Sequence, residues 1–456
     1  MNAAATIPLG PYCEVDLGDL TLPLWLVPFD RAGKCTGRQT RERLVEDIAE
    51  SGYTDVFLFS HGWNNTFDQA TANYRHFITG YHKFIRSQGL RSPSPCRPLL
   101  VGIYWPSVDL ILPWETAPRI AGAPGGAVSD EIDWVVRDTQ QSLDRKRRER
   151  FQDLAAAREL PEAQARELAE LLARVCGDDH ELQTRPPPDA DEMMWTWSQL
   201  REAGLTSSEA ESPGPESFTL AAEDRIATGP KAAGKVFSSV VHFDPRDILR
   251  AFTVYRMKDR AGLVGAGGGS LLLRDLLRAS DKPRLHLVGH SYGCRLLLAA
   301  VCAQPLPRKV RSLLLLEPAV NYLCFARQVP TLGRPGGFRP ALKRVEEPIL
   351  STFSSHDVAL HDFFHIAVRR RSDLGELKVA TPGVAPSIYA ALGGWGPGGL
   401  DPDEATEVPL ARFPDRYELD GSRCRMYALN GESGITSHSD VSNEWTYWAL
   451  YNQVTA

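Results

Sequence analysis

Arg284-Leu285-His286-Leu287-Val288-Gly289-His290-Ser291-Tyr292-Gly293-Cys294-Arg295-Leu296-Leu297-Leu298-Ala299-Ala300 reads as a short apolar strand, a tight turn and a helix in direct succession. Gly-x-Ser-x-Gly between strand and helix is the pattern of a nucleophile elbow. The turn is sharp and holds its serine in a strained backbone conformation. A side chain two residues before or after Ser291 would strike the neighbouring strand or helix, and glycine at 289 and 293 removes that clash. The hydroxyl is expected at the carboxyl edge of the sheet, where open α/β sheets place ligands. The first amides of the helix point at the same place with the positive end of the helix dipole behind them. The Tyr292 N–H is therefore the first candidate to bind a developing oxyanion. His290 is expected to turn away from the serine and serve structure only. The competing reading is a tight turn with an inert serine.

Upstream, Tyr53 to Ser60 carries the continuous apolar run Val56-Phe57-Leu58-Phe59, suited to a strand buried on both faces. It ends in His61-Gly62-Trp63-Asn64-Asn65. A loop at this place can supply the second oxyanion donor. Gly62 would let the backbone approach and the Trp63 amide would donate, while Asn64 or Asn65 caps the next helix. That helix, about Asp68 to Gln88, carries an apolar stripe through Tyr74, Phe77, Ile78, Tyr81 and Ile85. Further strands are expected at Leu99 to Tyr104, Arg311 to Leu316, Pro348 to Phe353 and Cys424 to Leu429. Helices are expected at Pro245 to Lys258, Gly269 to Ala279, His356 to Val368 and Asp440 to Leu450. Strands alternating with helices define an α/β protein: a mostly parallel central sheet with helices on both faces. The alternation breaks between Trp105 and Phe243. Residues 1–106 and 244–456 thus read as two parts of one core, and residues 107–243 as a large, mainly helical insertion with a linker at Thr206 to Lys235.

A serine hydroxyl needs a base, and the base needs an orienting carboxylate. On an elbow of this kind the chain order is Ser, then Asp or Glu, then His. The histidines after Ser291 are His356, His361, His365 and His438. His438 lies in the polar stretch Gly434-Ile435-Thr436-Ser437-His438-Ser439-Asp440, between the last strand and the last helix, and is the candidate base. Asp357, just past Pro348 to Phe353, is the preferred acid, with an N-cap as its bland role. Glu317, just past Leu313 to Leu316, is the rival acid. Asp440 is expected to cap the final helix. His361 and His365 stand four apart, but the pair lacks the intervening Glu and a third ligand, so no metal is expected.

Five segments resemble α/β-hydrolase superfamily proteins with a His-Gly-Tyr/Trp-Asn signature. They are Ser60-His61-Gly62-Trp63-Asn64, Tyr104-Trp105-Pro106-Ser107, Val288-Gly289-His290-Ser291-Tyr292-Gly293, Phe353-Ser354-Ser355-His356-Asp357 and Ser387-Ile388-Tyr389-Ala390-Ala391-Leu392-Gly393. The resemblance implies the α/β-hydrolase fold and places Ser291, Asp357 and His438 at triad positions. It names no substrate, and the segment from Ser107 to Phe243 departs from the common pattern.

The chain has 456 residues, 43% hydrophobic and 24% charged, with a formal net charge of −6. That balance lacks the basic excess of a nucleic-acid binder. The eight cysteines show no C-x-x-C pair, which argues for reduced thiols and a cytoplasmic setting. Residues 1–11 lack the features of a secretory signal. The insertion opens on the apolar run Val108 to Trp114 and carries Trp195 and Trp197 near its end, as a flap over the elbow or as a small core of its own. Arg145-Lys146-Arg147-Arg148-Glu149-Arg150 reads as a solvated helix face, with transient contact to an anionic membrane surface as the sharper alternative. The expected activity is cleavage of a small-molecule or lipid carboxylic ester without cofactor. The rival expectations are a non-catalytic binding or scaffold protein and a lipase-like toxin or effector.

Overall fold

A computed structural model of the chain describes residues 8–91, 96–107, 136, 139–140, 142–175, 189–195, 243–330, 332–364, 388–422 and 424–456. Two compact units emerge. One comprises Met1–Asp109, Gly177–Pro187 and Val254–Ala456, the other Leu110–Cys176 and Pro188–Thr253.

The first unit is built on nine strands: β1 (Cys13–Asp16), β2 (Thr21–Pro28), β3 (Asp55–Ser60), β4 (Pro98–Tyr104), β5 (Arg284–His290), β6 (Ser312–Leu316), β7 (Ile349–Phe353), β8 (Ala405–Pro409) and β9 (Met426–Asn430). They form a single sheet in the order β1-β2-β4-β3-β5-β6-β7-β9-β8. Only β1 and β2 pair antiparallel; every other neighbour is parallel. The longer helices among the described residues are α1 (Arg38–Glu50), α2 (Phe67–Ser87), α3 (Arg145–Ala155), α4 (Glu162–Ala173), α5 (Pro245–Val264), α6 (Ser270–Ala279), α7 (Tyr292–Ala303) and α8 (Glu444–Thr455).

Every residue of β3, β6 and β7 is buried, as continuous apolar runs demand when both faces of a sheet are covered. Alternate residues face alternate sides. Phe57, Phe59, Val288, Leu314, Leu316 and Leu350 join one core with the stripe of α2 and with Tyr447, Trp448 and Leu450 of α8. α1, α6 and α7 form the other helical group, with α1 against β2 and α7 against β3 and β5. Removing one such buried leucine or phenylalanine from water contributes roughly 1.5–3 kcal/mol.

Three strands and one helix lie outside the sequence expectation. β2 contains Pro23 and Pro28, which read as strand breakers, yet it pairs parallel with β4 from Leu24 to Pro28. β8 is a half-exposed edge strand with little apolar pattern, and α1 buries only Thr40, Leu44 and Ile48. α5 runs beyond its expected end and continues through a π turn at Gly265–Gly269 into α6. Where a helix from His356 was expected, the described residues show a π turn at Ala359–Phe363. Residues 365–387 lie outside the described set, His365 included.

In the second unit α3 and α4 bury Phe151, Leu154, Leu168 and Leu172, and an isolated antiparallel bridge joins Leu160 to Phe243. Pro161 stands at the N-cap of α4. The basic run of α3 is exposed and partly neutralised within the unit: Arg150 pairs with Glu167, Arg147 with Asp144 and Arg145 with Glu149. The apolar run Val108 to Trp114, the linker Thr206 to Lys235 and Trp197 lie outside the described residues. No helix of the described residues is long and apolar enough to cross a membrane.

The point where β5 turns into α7 is tight. A Cβ on Gly293 would lie 2.6 Å from the His61 carbonyl oxygen and closer still to that of Ser60. A Cβ on Gly289 would meet the Cys294 amide nitrogen at 2.9 Å. Neither clash involves a movable side chain, so Gly293→Val should cost about 1–3 kcal/mol or more, as overpacking does. The expected reading is a lower urea midpoint with unchanged slope. An unchanged midpoint would mean that α7 does not approach β3 this closely.

Candidate active site

Ser291 has φ 55° and ψ −125°, a backbone conformation that L side chains rarely adopt. The strain is held from three sides. The Ser291 N–H donates to the Leu316 carbonyl at 3.0 Å, and the Ser291 carbonyl accepts from Cys294 N at 3.0 Å and from Ala319 N at 3.3 Å. The residue is 4% exposed.

Because β5, β6, β7 and β9 are neighbours and run parallel, the segments following them emerge along one edge. Ser291 follows β5, Glu317 follows β6, Asp357 comes shortly after β7 and His438 after β9. Three of the four meet. His438 Nδ1 lies 2.6 Å from Asp357 Oδ2, and His438 Nε2 lies 2.9 Å from Ser291 Oγ. A carboxylate accepts, so the proton sits on Nδ1; Nε2 then presents its lone pair to the serine hydroxyl, which donates. Asp357 is fully buried, and its other oxygen accepts the Leu360 N–H at 3.0 Å. Its helix-capping role and its contact with His438 thus coexist.

Side chains that carried no signal in the sequence hold the loops. The buried Ser354 hydroxyl donates to the Ile435 carbonyl at 3.0 Å and accepts from His356 N at 3.1 Å, tying the Asp357 loop to the His438 loop. Asp440 does not cap α8. Its Oδ2 accepts from the amide and hydroxyl of Thr436, bracing the loop around His438, while Asn443 caps the helix. His290 does not simply turn away: its ring centre is 4.9 Å from that of His438. Its Nε2–H donates to the His438 carbonyl at 2.8 Å. Desolvation first, then repulsion from the His438 imidazole, pushes the His290 pKa down to about 3, so the ring is neutral at pH 7.

Beyond β3, a Cβ on Gly62 would stand 2.8 Å from Ser291 Cβ, so only glycine lets this loop lie against the serine. Among the described residues the amides of Gly62 and Trp63 donate to no protein acceptor. Tyr292 opens α7 directly after the serine. The loop is braced by Asn65, whose Nδ2 donates to the carbonyls of Gly62 (3.2 Å) and Trp63 (2.8 Å). Thr66, not an asparagine, caps α2 in a capping box with Gln69. His61 is buried, stacked on Trp105 at 5.4 Å and 9°, and its Nδ1–H donates to the Gly62 carbonyl at 2.9 Å. Burial pushes its pKa down to about 4.

Glu317, the rival acid, is not the carboxylate on His438 Nδ1; that place is held by Asp357. It is fully buried at φ 43°, and no donor among the described residues reaches either carboxyl oxygen. Burial first, then the neighbouring Asp357 carboxylate, raises its pKa well above the usual carboxylate range. The structure thus puts Asp357, and not Glu317, on the imidazole.

Compared with models of protein families, with curated proteins and with solved structures, the chain finds no match.

A short imidazole–carboxylate hydrogen bond should give a downfield proton resonance that disappears in Asp357→Ala. His290→Phe, which keeps the ring and loses the donor, is expected to broaden or shift that resonance, and His290→Gln to restore it in part. An unaltered resonance in His290→Phe would show that His290 does not position His438.

Proposed function

We propose that this chain is a serine hydrolase of the α/β-hydrolase fold that cleaves a carboxylic ester through an acyl-enzyme. One observation carries the reading: Ser291 Oγ, the His438 imidazole and the Asp357 carboxylate form an unbroken hydrogen-bonded relay, 2.9 Å at one end and 2.6 Å at the other. The strained elbow at a strand-to-helix turn and the chain order Ser, Asp, His support the fold assignment.

In this mechanism Ser291 Oγ attacks the carbonyl carbon while His438 Nε2 takes the hydroxyl proton. The carbonyl π electrons move to oxygen, and the N–H groups of Tyr292 and Trp63 bind that oxyanion, with Gly62 allowing the approach. Asp357 keeps the proton of the imidazole on Nδ1 and balances the charge of the imidazolium. Collapse of the tetrahedral adduct breaks the ester C–O bond, and Nε2–H delivers its proton to the departing alkoxide. Water then repeats the sequence: Nε2 accepts its proton, hydroxide attacks the acyl carbon, and the carboxylic acid leaves as Ser291 regains its proton. All the groups required are side chains and amides of this chain.

A fluorophosphonate probe should label the protein, and Ser291→Ala should abolish labelling. On p-nitrophenyl esters of increasing acyl length, Asp357→Asn should lower kcat about 10⁴-fold, because the amide favours the wrong imidazole tautomer. Labelling that persists unchanged in Ser291→Ala would remove the serine from the chemistry and the reading with it.

A further inference from the structure

Glu317 is the one buried carboxyl at this edge of the sheet that the reaction above does not use. An ionised carboxylate in its place would face two costs. It would leave both oxygens without a donor in a site closed to water. It would stand beside the Asp357 carboxylate, and no basic side chain of the described residues pairs with it. The groups that bear on it are Asp357 from the loop after β7, the Thr352 hydroxyl on β7 and the Cys294 thiol on α7. The Thr352 oxygen accepts the Glu317 N–H at 2.8 Å and opposes the shift, but it does not reach hydrogen-bond geometry with either carboxyl oxygen. The Cys294 thiol is held protonated by burial first, with Glu317 among the causes, so it brings no cation.

A single proton resolves this arrangement. We propose that Glu317 is a neutral carboxylic acid whose O–H donates to Asp357, making it a positioning residue for the carboxylate that orients His438. Asp357 then accepts from three directions: His438 Nδ1–H, Leu360 N–H and Glu317 O–H. Two carboxyls in contact hold one proton between them, and the more deeply isolated one keeps it. The effect on catalysis rests on the serine-hydrolase reading; the protonation state does not.

The sign of the linkage follows from the raised pKa. In the unfolded chain Glu317 ionises near the ordinary glutamate value; in the folded chain it ionises higher. Its contribution to stability is therefore complete below the unfolded pKa and is lost as pH rises toward the folded one. Urea unfolding of wild type and Glu317→Gln from pH 5 to pH 9 tests this. The variant keeps a neutral donor. Its unfolding equilibrium constant relative to wild type should fall by up to about tenfold per pH unit until the folded pKa is passed. An infrared spectrum at pH 7 should show a protonated carboxyl stretch that Glu317→Gln removes. A pH-independent stability difference, or no such stretch, overturns the proposal. With the fluorophosphonate probe, Glu317→Gln should react at close to the wild-type rate. Glu317→Leu should react about tenfold more slowly, the loss expected for one hydrogen bond to a charged group. Equal rates in Glu317→Leu and wild type would overturn the positioning role. Should wild type fail to label at all, the hydrolase reading fails while the unfolding and infrared results still decide the state of Glu317.

Discussion

The close approach of α7 to the end of β3 is the constraint on which the site depends. It requires glycine at 293, because the carbonyl oxygens of Ser60 and His61 occupy the space of any side chain there. With α7 in that position, the turn at Ser291 has to reverse within a few residues, and its φ of 55° is the result. The same approach brings Gly62 against Ser291 Cβ. The strain at Ser291 is offset by three backbone hydrogen bonds shared with the segment around Leu316 and Ala319 and with α7. Sheet order, helix approach and serine conformation are thus one geometric condition.

The remainder of the site follows from strand adjacency. β5, β6, β7 and β9 stand side by side, so residues that follow them in the chain lie in a row although 147 positions separate Ser291 from His438. The row has an order, and the order selects the partner of the imidazole. The loop after β9 adjoins the loop after β7, and the Ser354 hydroxyl ties the two together. Glu317 follows β6, between β5 and β7, one strand nearer the serine.

What could be read in the sequence was whatever depends on local pattern. β3 through β7 and β9 carry compact apolar runs, and the elbow carries its two glycines, so these elements and the positions of Ser291, Gly62 and Tyr292 were legible. β2 was not, because Pro23 and Pro28 mask its pairing; nor was β8, whose residues are half exposed. Asp357 and Glu317 both follow apolar strands; Asp357 was the preferred acid, and the lateral order of the sheet is what puts it on His438. The partner of His290 was not legible, because its neighbour in sequence is the serine whereas its hydrogen-bond partner is a carbonyl 148 residues away. The bracing role of Ser354 was invisible for the same reason: it depends on which loop lies opposite, not on spacing.

The electrostatic design of this edge has one further consequence. Five titratable groups crowd it: His61, His290, Glu317, Asp357 and His438. Burial holds His61 near 4 and desolvation holds His290 near 3, so both imidazoles are neutral at pH 7. Burial and the neighbouring carboxylate do the same for Glu317 from the opposite direction. Had either histidine been charged, it would have raised the cost of an imidazolium at His438; had Glu317 been charged, it would have competed with Asp357 for the proton. Neutrality at all three leaves one carboxylate and one imidazole able to carry charge, hydrogen-bonded to each other at 2.6 Å. A proton arriving at His438 Nε2 therefore completes an ion pair in a site with no other charge among these groups. That is the condition under which a single buried aspartate has its largest influence on a single histidine.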